Sequence, residues 1–456
     1  MIFRAKFSSF AAFILLYTLA SNALAVVIVG TYLAPWRSRA LLFLPRYMLA
    51  HLAAAAAANF TVFFLIVALQ AILFAVLSPG LFRRLSLLVR FGALAAIFYV
   101  LTLFVLRVGS WSRLVSEMDL LRAQSSDSLL AYPPMWFIGL YEVLLGSGIP
   151  MDRALAGLAV LIPITLAGLY FLTMGLSFKK HLRRPPAESS RPGPSARLAT
   201  LGSGWVDRLL LRNPVERAVF HFFGRTLRRS TLHKMRLAAF LAAASGLVLV
   251  LMSARGSGPA DLSPSNRNLL AAPLVLTFFL LVGLRSLVAV PFAPEANWIF
   301  ALTEQFPRRP YYSGLKKAVV LLTLLPLMTA LLPVYALLWG FATALIHLAF
   351  GLVCSLVLLE LLFLRFSKIP FACLPAPKKA KPYSVWIGWF VGFLVYVVLL
   401  GGLEQRLLAA PSAFPVFFAV GGAVLLGLVF YQELFTYPRL PLVYEEEPEP
   451  VLVTLE

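Results

Sequence analysis

The sequence predicts an all-α, polytopic helical membrane protein of about ten transmembrane helices, with cytoplasmic interfacial helices beside them. Three observations carry this. Hydrophobic residues make up 61% of the chain and charged residues only 13%, against roughly 45–50% and about 25% in soluble domains. Mean hydropathy is +0.87. Continuously apolar runs of about 18 residues or more recur along the whole chain, the length of a membrane helix rather than the ten alternating residues of a barrel strand.

The first run, near 10–32, could belong to a cleaved signal peptide. Arg4 and Lys6 precede it, and Ala23-Leu24-Ala25 has the small-x-small form of a cleavage site. The run nevertheless continues through Val26-Val27-Ile28-Val29 and reaches spanning length, so an uncleaved first helix is expected. Later spans are expected near 52–77, 90–107, 154–176, 237–253, 269–290, 317–335, 338–364, 384–403 and 413–431.

Orientation follows from the basic residues. Arg4, Lys6, Arg83, Arg84, Arg90, the dense group from Lys179 to Arg236, and Arg308, Arg309, Lys316 and Lys317 fall on one side of this topology. Arg365, Lys368, Lys378, Lys379 and Lys381 join them. About 30 basic residues against about 10 mark that side as cytoplasmic. Both termini are then expected inside, and the Ala/Leu/Arg-rich composition suits a bacterial inner membrane. The net charge of +21 thus reports topology. With no basic, aromatic-interleaved soluble module, nucleic acid is not an expected partner; the lipid bilayer is.

Four segments follow: a four-span bundle at 1–177, a flexible basic cytoplasmic linker at 178–212, a connector helix with six spans at 213–436, and an acidic cytoplasmic tail at 437–456. Pro, Ser and Arg dominate 183–194 and cannot build a core. After the linker, Asn213-Pro214-Val215-Glu216 supplies an N-cap, a proline at the first helical position and a carboxylate at the third. The helix it opens is amphipathic. Val215, Ala218, Val219, Phe222, Phe223 and Leu227 share a face, with Arg217, His221, Arg225, Arg228 and Arg229 elsewhere, a pattern suited to the cytoplasmic interface. A second interfacial helix is expected around Asn297 and Trp298. On the outer side, 133–145 is too short to span but apolar enough for interfacial anchoring or a lid.

No nucleotide loop, metalloprotease, nucleophile-elbow or paired-cysteine metal motif is present, so no cofactor and no metal are expected. Cys354 and Cys373 read as free thiols. Charges inside a bilayer are costly and are the default functional candidates. Glu360, His347, Gln70 and Asn22 are the candidates among the intramembrane polar residues. Glu360 is expected to find Arg365 or water, and His347 an interhelical hydrogen bond. Thirteen residues separate the two, roughly 20 Å of helix, so they cannot pair. Gln432 is expected to hydrogen-bond between helices and Arg285 to reach headgroups.

The stretch Phe220-His221-Phe222-Phe223-Gly224-Arg225-Thr226-Leu227-Arg228-Arg229-Ser230, with Glu295-Ala296-Asn297-Trp298-Ile299-Phe300 and Ile369-Pro370-Phe371-Ala372-Cys373, resembles uncharacterised bacterial multi-pass membrane proteins. Those are in turn similar to permease subunits of ABC-2 type exporters. The resemblance covers mainly residues 210–385. It implies a transmembrane subunit that takes energy from a separate ATPase docked at its cytoplasmic face, within a homo- or hetero-oligomer. Arg217, His221, Arg225, Arg228, Arg229, Asn297 and Trp298 are the docking or interfacial candidates. The extra front half departs from that pattern. Alternative readings are a membrane-embedded enzyme or lipid-handling protein, using Glu360, His347 and the 136–141 segment, and a noncatalytic membrane scaffold.

Overall fold

Inside a bilayer, backbone amides find no water and must pair within their own segment, which leaves the helix as the solution for continuously apolar runs. The computed structural model describes residues 40–106, 127–182, 207–253, 266–292, 308–364 and 383–439, together with 120, 263–264, 300, 302, 304, 366 and 368–373. Among these residues there is no β-strand, and nine helices are long and apolar enough to cross a membrane. They match the second to tenth expected spans one for one. The first, with Asn22, lies outside the described residues, as do the 183–194 linker, Asn297 and Trp298, and the acidic run of the tail. The protein is a polytopic, all-α membrane protein.

Two compact units divide the chain: Met1–Leu88 with Leu106–Ser189, and Val89–Val105 with Ser190–Glu456. In the first unit, α1 (Ala40–Val76) packs against α3 (Pro133–Leu145) and α4 (Pro150–Leu182). The 133–145 segment is helical, and it buries Met135 against Met151 and Leu155. Trp136 Nε1 donates to the Leu130 carbonyl at 2.8 Å. Gln70 is half-buried on α1.

Helix α2 (Pro79–Leu106) contributes Val89–Val105 to the second unit. There it meets α6 (Thr231–Ser253) at Gly246, where a Cβ would stand 2.7 Å from the Ala95 carbonyl oxygen. Only a bare Cα permits that approach, the small-residue packing expected where lipid tails are as apolar as leucine. Helix α7 (Arg267–Val288) is the most enclosed of the nine spans. Asn266 caps it through the Asn268 amide, and Asn268 Nδ2 reaches back to the Leu251 carbonyl at the end of α6. The remaining spans are α8 (Arg309–Trp339), α9 (Phe341–Phe363), α10 (residues 383–409) and α11 (Pro411–Thr436). Their outward faces carry Leu337, Phe341, Val416, Leu426 and Phe430, all strongly exposed. Such apolar surface has acyl chains, not water, as its solvent.

Helix α5 (Pro214–Arg229) starts as its sequence predicts, with Asn213 Oδ1 accepting from the Val215 amide at 2.9 Å. Its apolar face, however, is covered by protein. Val219, Phe220 and Phe223 are buried in a core with Tyr311, Leu315, Phe363 and Phe371, whereas Ala218 is exposed. Glu216 does not close a capping box. Its carboxylate is buried and engages Ser313 Oγ and, at 2.7 Å, Lys317 Nζ. Gly314 lets the two helices close, since a Cβ there would lie 2.6 Å from the Glu216 carbonyl oxygen.

Three idiosyncratic sequence stretches converge on Phe371. Its ring lies 4.9 Å from His233, 5.5 Å from Phe223 and 6.4 Å from Phe222, and Phe222 in turn lies 5.6 Å from Phe300. Phe371 takes φ 60°, in the left-handed region that an aromatic residue rarely adopts. Two backbone hydrogen bonds hold it there, its amide to the Val288 carbonyl at 2.9 Å and its carbonyl from the Phe292 amide at 2.8 Å.

Candidate functional site

Span α9 carries two buried ionisable residues, and each is answered from another helix. Near its end, Glu360 receives Lys316 Nζ from α8. Arg365, the expected partner, lies outside the described residues. Lys316 also donates to Gln432 Oε1 and, at 2.8 Å, to the Tyr437 hydroxyl. An ammonium has three protons, and here three acceptors take them. Tyr437 donates to Gln432 Oε1 at 2.8 Å, and Gln432 Nε2 to the Glu360 main-chain carbonyl at 3.1 Å. Tyr312 stacks on Tyr437 with centroids 4.7 Å apart. Outside the span, burial, with Glu360 and Glu433 nearby, raises the pKa of the Tyr437 phenol, so it stays a neutral donor.

Toward the other end of α9, His347 Nδ1 faces Glu404 Oε1 of α10 at 2.5 Å. The expected interhelical bond of His347 is therefore present. The imidazole sits 4.5 Å from the Tyr335 ring and 5.1 Å from the Trp339 ring, and the Tyr335 hydroxyl donates to the Leu269 carbonyl at 2.8 Å. His347 Nε2 and Glu404 Oε2 are buried without a hydrogen-bond partner among the described residues. Between the two clusters, the Tyr396 hydroxyl lies 3.4 Å from both Thr277 Oγ1 and Ser355 Oγ.

Helical geometry marks the same places. Three π-helical turns occur in the described spans: Val320–Leu324 in α8, Val395–Leu399 in α10 and Gln432–Thr436 at the end of α11. The first begins four residues after Lys316, the second contains Tyr396 and leads to Glu404, and the third opens with Gln432. Such turns are rare and concentrate at functional positions.

The structure thus brings Glu360 together with Gln432 and His347 with Glu404, but keeps Glu360 and His347 in separate clusters. Arg285 does not run to headgroups. Its Nε donates to the Leu362 carbonyl at 3.0 Å and its guanidinium lies 4.4 Å from the Phe366 ring. A delocalised, weakly hydrated cation suits that arrangement. Of the docking candidates, Arg217, Arg225, Arg228 and Arg229 are exposed on α5, and His221 Nε2 pairs with Asp207 at 2.9 Å. Lys316 and Glu404 escape a sequence reading because the helices run past the apolar runs, α8 starting at Arg309 and α10 ending at Ala409. Continuing the helical phase beyond each run would have found them. Among the described residues, no group of three His, Cys, Asp or Glu side chains could hold a metal ion.

No known protein family, curated protein or solved structure matches the chain.

Proposed function

We propose that the chain is the permease-like transmembrane subunit of an ABC-type exporter in a bacterial inner membrane, driven by a separate ATPase. The observation that carries this reading is the linkage from α5 into the bundle. The helix offers Arg217, Arg225, Arg228 and Arg229 outward. Inward, its Glu216 holds Ser313 and Lys317, and the adjacent Lys316 holds Glu360 of α9 and Gln432 of α11. A push on one surface helix is thereby passed to three spans through buried, charge-assisted contacts. Rigid elements joined in this way are what a motor needs to move a bundle.

In this reading α5 and the basic span ends face the cytoplasm, as the positive-inside count requires. The test is affinity purification from the native membrane in mild detergent. An ATPase should copurify with the wild type and be lost from an Arg225→Glu, Arg228→Glu, Arg229→Glu variant that elutes and melts like the wild type. Repeated purification without any nucleotide-binding protein refutes the proposal.

A further inference from the structure

Two hollows of about 370 and 350 Å³ meet along α8, sharing Arg309, Ser313 and Lys317 in their walls. Each is within the size range of small-ligand sites. They differ in chemistry. The first runs between aliphatic side chains of three spans, among them Val320, Leu321, Leu356, Leu425 and Val429. The second is bordered by Arg212, Asn213, Glu216 and Pro310. A polar chamber therefore continues into an apolar slot.

Taken together, the charged side chains lining the two hollows leave one cation over among the described residues. In the wall of the first hollow, Lys316 and Glu360 satisfy one another. Lys317 pairs with Glu216 and Arg309 with Glu433, each at 2.7 Å, whereas Arg212 pairs with no carboxylate among the described residues. The Arg309 side chain is 61% exposed, so a ligand can reach it and exchange with Glu433. Arginine guanidinium groups are suited to phosphate because their donors form a planar fork.

We propose that this joined cavity binds one lipid with a phosphate-bearing anionic headgroup. Arg212, Arg309 and Lys317 would receive the phosphate and the α8–α9–α11 slot an acyl chain. The slot is what selects a lipid over a soluble phosphate, since aliphatic walls reward only an apolar tail. Arg309 also begins a span, the level at which headgroups lie. Exposed Leu322 and Leu426 flank the slot on the same helices, at the surface that acyl chains cover. The proposal stands whether or not an ATPase partners the chain.

The test uses the full-length protein in nanodiscs of phosphatidylcholine with or without phosphatidylglycerol, followed by native mass spectrometry of retained lipid. Wild type should retain phosphatidylglycerol and melt higher in its presence. An Arg212→Ala, Arg309→Ala variant should lose retention on the order of tenfold, the worth of one charge-assisted hydrogen bond. Leu425→Trp, which fills the slot, should lose it too and decides alone if the arginine variant fails to fold. Arg236→Ala, an exposed basic residue outside the cavity, should retain lipid like the wild type. Unchanged retention in the cavity variants, or equal loss in Arg236→Ala, overturns the site. Equal stabilisation by inorganic phosphate alone overturns the lipid assignment.

Discussion

His347 Nδ1 stands 2.5 Å from a carboxylate oxygen of Glu404, with only 1% and 0% of the two side chains exposed. Each residue is the other's only hydrogen-bonding compensation among the described residues, because the second polar atom of each is buried without a partner. Glu404→Ala should therefore lower stability by about 3–5 kcal/mol, the penalty for orphaning one member of a buried pair. The His347→Phe, Glu404→Leu double variant should lose much less than the two single losses combined. Thermal unfolding of the four proteins in one detergent checks this; additive losses would show that the contact is not coupled.

Lys316 gives a sharper version of the same argument, because its three donors meet three acceptors. Lys316→Arg should fail to substitute, since a planar guanidinium cannot direct protons as an ammonium does. Unfolding midpoints should fall for Lys316→Arg nearly as far as for Lys316→Met. A fully stable arginine variant would contradict the three-point geometry.

Gly314 should tolerate no side chain. A Cβ there would lie 2.6 Å from the Glu216 carbonyl oxygen, a backbone atom that cannot swing aside. Gly314→Val should displace α5, at a cost of about 1–3 kcal/mol. Limited proteolysis near residue 213 should accelerate, while cleavage in the 133–145 unit stays at the wild-type rate.

Phe371 offers two opposing terms. Phe371→Ala removes a fully buried ring, worth about 3–5 kcal/mol, and keeps the left-handed strain. Phe371→Gly removes the ring and the strain together, a relief of roughly 1–2 kcal/mol. Glycine should consequently be the milder substitution of the two, reversing its usual rank against alanine. Comparing melting temperatures decides it.

Cys373 is buried, and that burial pushes its thiol pKa up, so near neutral pH less of it is the nucleophilic thiolate. Cys354 is enclosed between spans. Maleimide labelling of native protein should be negligible at both and become complete after unfolding in dodecyl sulfate. Raising the pH should increase Cys373 labelling only slowly, since the thiolate appears above the ordinary range.

The fold was legible because each span must be apolar for its full length, and a bilayer leaves few other ways to bury such runs. Asn213 and its cap were equally plain, since capping is a local matter of side chain and amide. The partners were not. Glu360 was visible as a charge in an apolar run, but Lys316 sat among loop basics, and which cation meets which acid depends on how α8 turns against α9. Glu404 was hidden by a boundary, one residue beyond the expected end of its span. The apolar face of α5 read as membrane-seeking, because periodicity shows that a face is apolar without showing what covers it.

The three π-helical turns give the bundle a local tolerance of phase. Each turn accommodates one residue more than a regular helix would in the same axial length. Deleting a single residue from Val395–Leu399 would let α10 relax to a regular helix. Everything beyond would keep its direction, whereas the same deletion in a regular stretch would rotate it by about 100°. Glu404 would stay in line with His347, whereas deleting one residue between Leu400 and Leu403, past the π-turn, would part the pair.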